Sequence, residues 1–209
     1  MSFTRILKQA DAPQIVKLEK EIARLEKLAY HDFLLGTYNR RGFLKASQIP
    51  FKMAVQAREY NRRQSDKTRD LCLMLFDIDN FKHYNDTYSY AMGDNVLKLV
   101  GYYFGNYVRK TDVFGRWGGD EFILLLPFTT MSTALKLTKY HKANFPKVAL
   151  KLIQKNKKYL DKWTNGEAVT FSIGLASLDK EKTIQALLNK ANRGLKLAKK
   201  KKNAIVLAK

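Results

Sequence analysis

Leu71-Cys72-Leu73-Met74-Leu75-Phe76-Asp77-Ile78-Asp79 is the stretch that decides how this chain folds. Its unbroken apolar run suits a central strand buried on both faces. Asp77 and Asp79 stand at i and i+2, on one side of an extended backbone, where they can reach a shared cation. A second acidic pair follows two glycines in Gly118-Gly119-Asp120-Glu121. Positions 112–117 and 121–126 read as strands joined across those glycines, a hairpin signal. The glycines permit positive φ and leave room for a bulky ligand against the backbone. If the hairpin lies beside the first strand, Asp77 converges with Asp120 or Glu121. Clustered carboxylates without His or Cys favour a hard cation such as Mg²⁺ or Mn²⁺. Magnesium in a basic protein points to a phosphate-bearing substrate. Taken singly, either acidic pair reads equally well as loop residues at a strand end.

Outward from this centre, helical and extended patterns alternate. Positions 41–63, 90–107, 131–160 and 180–200 read as helices, with Pro146 a candidate break. Positions 168–175 and 204–207 read as strands. Mixed strands and helices around one hairpin predict an α+β fold, a sheet covered by helices. Upstream, Asp11-Ala12-Pro13-Gln14 has the pattern of a helix start. Ile15, Leu18, Ile22, Leu25 and Ala29 then recur at spacings of three and four, a heptad seam. Residues 1–30 are expected to form a helical stalk that dimerises as a short coiled coil, and 31–209 the domain that carries the acidic motifs. The competing reading of the seam is a helix packed on its own domain.

The chain has 209 residues, 39 Lys and Arg against 19 Asp and Glu, and a net charge of +20. With 45% hydrophobic and 28% charged residues it has the balance of a soluble globular protein, not a disordered one. Its one cysteine, Cys72, excludes a disulfide framework and a cysteine-based zinc site. No apolar run approaches the ~20 residues that a membrane span needs, and no signal pattern opens the chain, so the expectation is a cytoplasmic protein. The positive charge attracts phosphates. Lys136, Lys139, Lys142, Lys147, Lys151, Lys155, Lys157, Lys158 and Lys162 nonetheless recur at the spacing of a solvated helical face. No zinc-finger, RNA-recognition or basic-zipper pattern is present, so nucleic acid is not an expected partner. His31, His83 and His141 lack partners at ligand spacing and are expected to be non-catalytic.

Together these motifs resemble one family closely. Gly118-Gly119-Asp120-Glu121-Phe122 spells the motif that names the GGDEF domain, the diguanylate cyclase family. His31-Asp32-Phe33-Leu34-Leu35-Gly36-Thr37-Tyr38-Asn39-Arg40-Arg41 resembles the family's opening block. Asp77-Ile78-Asp79-Asn80-Phe81-Lys82-His83-Tyr84-Asn85-Asp86, followed by Gly93-Asp94, resembles its second. Thr170-Phe171-Ser172-Ile173-Gly174-Leu175-Ala176 resembles its later strand, and Ala198-Lys199 with Asn203 its closing segment.

The resemblance implies a mostly antiparallel sheet like the palm of nucleotide cyclases and polymerases. It implies a homodimer that joins two GTP molecules into cyclic di-GMP and releases pyrophosphate, with a degenerate, merely nucleotide-binding domain as the alternative. Asp77, the carbonyl of Ile78, Asp120 and Glu121 would hold Mg²⁺ or Mn²⁺, and Asp120 would accept the proton of the attacking 3′-hydroxyl. Phe81 and Lys82, with Lys199 and Lys202, would meet the phosphates. Asp94 suits the paired N–H donors of guanine, and Asn85 its remaining edge. Adenine would leave that carboxylate unpaired. Arg109 and Asp112, aided by Arg116, resemble the family's inhibitory product site. The chain departs from the family at Ser89-Tyr90, where Gly-His is usual, at Lys196 and Asn192, and at Leu35 and Thr37; none of these is an implied metal ligand.

Overall fold

The computed structural model describes residues 12–60, 70–155 and 168–208. The expected cap Asp11, positions 61–63 and 156–160 of two expected helices, and Lys157, Lys158 and Lys162 lie outside the described residues. The elements run α1 (Ala12–Tyr30), α2 (Arg40–Tyr60), β1 (Cys72–Ile78), α3 (Phe81–Thr87), α4 (Tyr90–Tyr107), β2 (Val113–Gly118), β3 (Glu121–Leu126), α5 (Met131–Lys155), β4 (Phe171–Ser177), α6 (Ile184–Lys201) and β5 (Ile205–Leu207).

The strands form one sheet in the order β2-β3-β1-β4-β5. β1 is antiparallel to both its neighbours, β3 and β4, and only β5 runs parallel to its partner. The sheet is thus mostly antiparallel and helix-covered, as expected. The apolar run of β1 has the composition of a strand covered on both sides, and alternation divides it accordingly. Cys72, Met74, Phe76 and Ile78 join a core with Val96, Leu97 and Phe104 of α4 and Phe145 of α5. Leu73 and Leu75 join a second core with Phe43 and Phe51 of α2 and Leu187, Leu188 and Leu195 of α6. Phe76 anchors the first core, its ring 4.7 Å from Phe104, 5.5 Å from Phe122 and 5.4 Å from Phe171. Such aromatic pairs are worth ~1 kcal/mol each beyond the area they bury.

α6 approaches the sheet closely at Gly174. A methyl group there would run into the backbone of Ala191 and Leu195, so only glycine lets helix and strand meet. Cys72 is fully buried, donates to the carbonyl of Thr129 at 3.2 Å, and burial pushes its thiol up to about 12.

The structure corrects two expectations. α5 passes through Pro146 without a break. Proline costs one backbone bond, but buried Phe145 and Ala149 on either side hold the helix against the sheet. The short α3 has no counterpart in the sequence reading, because a seven-residue helix shows too little periodicity to be recognised. The surplus cations are spread over both helical layers: exposed Lys136, Lys139, Lys147 and Lys151 on α5, and exposed Arg193, Lys196 and Lys200 on α6. They form no single basic groove. Among the described residues no helix is long and apolar enough to cross a membrane.

Ser89, just before α4, holds φ 153°, a conformation that L side chains rarely adopt. Glycine takes it without strain, so Ser89→Gly is expected to stabilise the domain by ~1 kcal/mol, a rise of about 2–4 °C in melting temperature. Circular dichroism melts of both proteins check this. An unchanged or lowered midpoint would show that the backbone is relaxed there.

Candidate active site

The β1–β3 register sets Asp77 directly opposite Glu121. By alternation both side chains leave the sheet on the face covered by α6. The last turn of α6 brings Lys199 to them, its Nζ 2.6 Å from Asp77 Oδ2 and 3.5 Å from Glu121 Oε1. Asp77 is only 6% exposed. Its Oδ2 meets the ammonium at short range but receives no well-aligned hydrogen bond. Burial pushes the Asp77 carboxyl up to about 6, opposed by Lys199 and reinforced by the charges of Asp120 and Glu121. Buried Asp77 thus relies on one ammonium for its charge balance, while Asp120 and Glu121 add like charge nearby. Among the described residues no three carboxylate, histidine or cysteine side chains are gathered into a ready metal cage. Mg²⁺ commonly takes only one or two carboxylates and completes its shell with water and substrate phosphate. Buried Asp77 faced by Glu121, with Asp120 nearby, fits that habit.

Asp120 occupies the β2–β3 turn, and its carbonyl accepts a bond from Ile78 N at 3.3 Å. This ties the hairpin tip to the end of β1. Neither Gly118 nor Gly119 has a positive φ, so the expected conformational reason for them does not apply. The reason that survives is space: a Cβ at either would meet nothing within 4 Å, so the tip lies open. Arg116 fixes the tip from behind. Its Nε and Nη2 donate to the carbonyl of Gly119 at 2.9 and 2.7 Å, and its Nη1 to Asp32 Oδ2 at 3.1 Å.

Asp79 does not join Asp77, which corrects the expectation that the two share a cation. Its carboxylate accepts from Thr170 Oγ1 at 2.7 Å, Ser172 Oγ at 2.6 Å and the backbone N–H of Asn203 at 2.8 Å. It is a buried clasp that joins β1, β4 and the loop after α6. The two hydroxyls alternate along one strand face, a signal that could have revealed this role. Lys202 sits in that loop with φ 50° and donates to Asn80 Oδ1 at 2.6 Å, which carries its ammonium to the start of α3.

α3 and α4 frame a second part of the site. Asn85 lies against Gly93, where a methyl group would collide with its side-chain oxygen. Asp94, exposed, follows directly on α4, and Phe81 and exposed Lys82 open α3. The expected base-reading residues thus lie on two helices that meet at Gly93, and Phe81 and Lys82 share α3 with Asn85. Arg109 and Asp112 form a separate turn at the opposite end of β2, with Arg109 N donating to Asp112 Oδ2 at 2.9 Å. Asp112 Oδ1 is buried without a hydrogen bond, and burial holds the carboxyl above its usual range. Arg116 is turned away from them towards Gly119. His141 is buried, within 3.2 Å of the Tyr103 hydroxyl, and burial lowers its pKa.

Comparison with known proteins agrees with this architecture. The chain is 32% identical to the diguanylate cyclase DgcM of Escherichia coli over 198 residues, 95% of this chain and 42% of that protein. It is 29% identical to the diguanylate cyclase DosC of Escherichia coli, over 90% of this chain and 37% of that one. The chain therefore spans about two fifths of the length of these curated relatives. In fold it resembles the coiled coil and GGDEF domain of DgcB from Caulobacter crescentus, with a TM-score of 0.73, 20% identity and 98% of each chain covered. It also resembles the active GGEEF domain of a Vibrio cholerae diguanylate cyclase, with a TM-score of 0.63, 24% identity, and 82% of this chain and 97% of that one covered. Residues 29–204 match the family model described as "Diguanylate cyclase, GGDEF domain", and the chain belongs to that family.

Proposed function

We propose that this domain condenses two GTP molecules into cyclic di-GMP with release of pyrophosphate, acting as a homodimer. The observation that carries the reading is buried Asp77 set opposite Glu121 across β1 and β3, with Lys199 between them. Asp77, Glu121, Asp120 and the Ile78 carbonyl are the residues to hold a divalent cation, which would neutralise the triphosphate and make the attacking hydroxyl more acidic. Asp94 reads the N–H edge of guanine, and Asn85, held by Gly93, reads the rest. Lys82, Lys199 and Lys202 balance phosphate charge with mobile ammonium groups, while the start of α3 at Phe81 supplies backbone N–H donors. Asp120 accepts the proton as the 3′-oxygen of one GTP attacks the α-phosphorus of the other. The new phosphorus–oxygen bond forms as the bond to the β-phosphate breaks, and pyrophosphate carries away the electron pair. Two such attacks close the ring.

Each protomer holds one GTP in this reading, so two sites must face each other. α1 supports the pairing. Ile22 and Leu25 of the heptad seam are 40% and 51% exposed while Ile15, Leu18 and Ala29 are half-buried, so the seam is not fully packed on its own domain. DgcB, similar in fold, is described as a coiled coil with a GGDEF domain in complex with c-di-GMP. Arg109 and Asp112, remote from the hairpin tip, are proposed as the product site: the guanidinium grips phosphate or the O6/N7 edge of guanine, and the carboxylate its N–H edge.

Incubation with Mg²⁺ and GTP, followed by mass spectrometry, is expected to yield cyclic di-GMP. Asp120→Asn should lower turnover at least ~100-fold by removing the proton acceptor. Asp94→Ser should narrow the preference for GTP over ATP. GTP binding without product would leave a nucleotide-binding module only.

Glu at both Ile22 and Leu25 should weaken the dimer and make specific activity fall on dilution to nanomolar protein, as sedimentation and a rate series will read. Unchanged activity across that dilution would remove the stalk from the mechanism.

Arg109→Ala should abolish the slowing of progress curves as product accumulates, while the initial rate stays unchanged. Linear progress curves in the unmodified protein would show Arg109 and Asp112 to be surface charges.

A further inference from the structure

Lys199 is paired with two of the carboxylates that would hold the divalent cation. Its ammonium is 2.6 Å from Asp77 and 3.5 Å from Glu121, the carboxylates that face each other across β1 and β3. An ammonium and a divalent cation compete for those oxygens, because at such distances their charges repel. The anchor of Lys199 is rigid: Ala198 before it is buried, and α6 is pressed to the sheet at Gly174. Its head is not, for the side chain is 42% exposed and hangs on a flexible four-carbon stem. The ammonium can therefore leave Asp77 while the helix stays in place, provided another anion receives it. Lys202, also in this region, is engaged with Asn80 and cannot stand in at Asp77 without breaking that bond.

We propose that Lys199 is a tethered counter-ion that exchanges places with the divalent cation, moving from Asp77 onto the nucleotide triphosphate as the metal arrives. This rests on the reading of the site as a metal–triphosphate site and adds a consequence. Metal without nucleotide must displace an ammonium that has no anion to go to. Nucleotide without metal must draw Lys199 off a buried carboxylate and leave that carboxylate unpaired. Each alone binds weakly, and each strengthens the other by the same factor, since binding coupling is reciprocal. The site thereby selects the metal–nucleotide complex over either component.

The test measures Mn²⁺ binding to nucleotide-free protein by electron paramagnetic resonance and calorimetry. Lys199→Met is expected to bind Mn²⁺ about tenfold more tightly than the unmodified protein, the size of a typical site coupling. Lys200→Met removes the same charge one residue on, from an exposed position, and should gain less than about twofold, as expected for a screened surface charge. Lys199→Arg keeps the charge and grips Asp77 with a planar fork, so it should bind Mn²⁺ several-fold more weakly. It also decides the matter if Lys199→Met fails to fold around an unpaired Asp77. Equal gains for Lys199→Met and Lys200→Met would reduce the effect to net charge and overturn the exchange. So would Mn²⁺ affinity unchanged in Lys199→Arg. A protein that makes cyclic di-GMP but gives either result keeps the proposed function and loses only the exchange. A protein that binds neither Mn²⁺ nor a non-hydrolysable GTP analogue with Mn²⁺ loses both.

Discussion

A carboxylate at the end of a strand covered on both faces needs a cation, and much of this structure follows from supplying one to Asp77. The run Leu71–Phe76 is apolar because β1 pairs on both edges and is covered on both faces. Extending that strand by one more residue takes Asp77 into the same buried environment, where a lone charge is costly. The register then fixes which groups can respond. Glu121 lies across one edge and Ser172 across the other, and α6 delivers Lys199 from the covered face. α6 can come so near because Gly174 has no side chain. A packing requirement at one glycine and the charge at Asp77 are in this way two ends of a single arrangement.

The fold and the pairing of the two acidic motifs were legible in the sequence. A continuous apolar run before Asp77 and a Gly-Gly turn before Asp120 leave few ways to bring both ends together. The role of Asp79 was not legible, because carboxylates at i and i+2 look alike until their partners are known. Those partners, Thr170, Ser172 and Asn203, come from distant parts of the chain. The attachment of Lys199 to Asp77 was hidden for the same reason: in a tail of consecutive lysines, nothing in the pattern distinguishes the one that turns inward. The helix Phe81–Thr87 was too short to show a period, and Pro146 misled because tertiary packing outweighed a local cost.

The clasp at Asp79 bears on the site although its carboxylate touches none of the proposed ligands. It holds the backbone of Asn203, which like Lys202 has a positive φ, 45° and 50°. Such residues are strained, and a hydrogen bond to a buried carboxylate is one of the stronger ways to keep them so. The strained loop in turn directs Lys202 towards Asn80 at the entrance to α3. Asn80 is itself left-handed, at φ 57°. Strain is thus concentrated at the place where α3 begins and the last helix ends, the two elements that carry the phosphate-directed lysines.

The hairpin tip is held with equal economy from the other side. Asn39 donates to the carbonyls of Ala29 and His31 at 3.0 and 3.2 Å, closing the end of α1. Its neighbour Tyr38 accepts a bond from the backbone of Arg116 at 2.8 Å. The Arg116 side chain then joins Asp32 to the carbonyl of Gly119, with both partners of that ion pair more than four fifths covered. Covered, charge-assisted bonds of this kind are worth roughly 1.5–3 kcal/mol each, well above an exposed ion pair. The segment that ends α1 and the segment that presents Asp120 consequently share one set of bonds. Arg116, which is held by the segment after α1, is thereby also the residue that anchors the carbonyl of Gly119, next to Asp120.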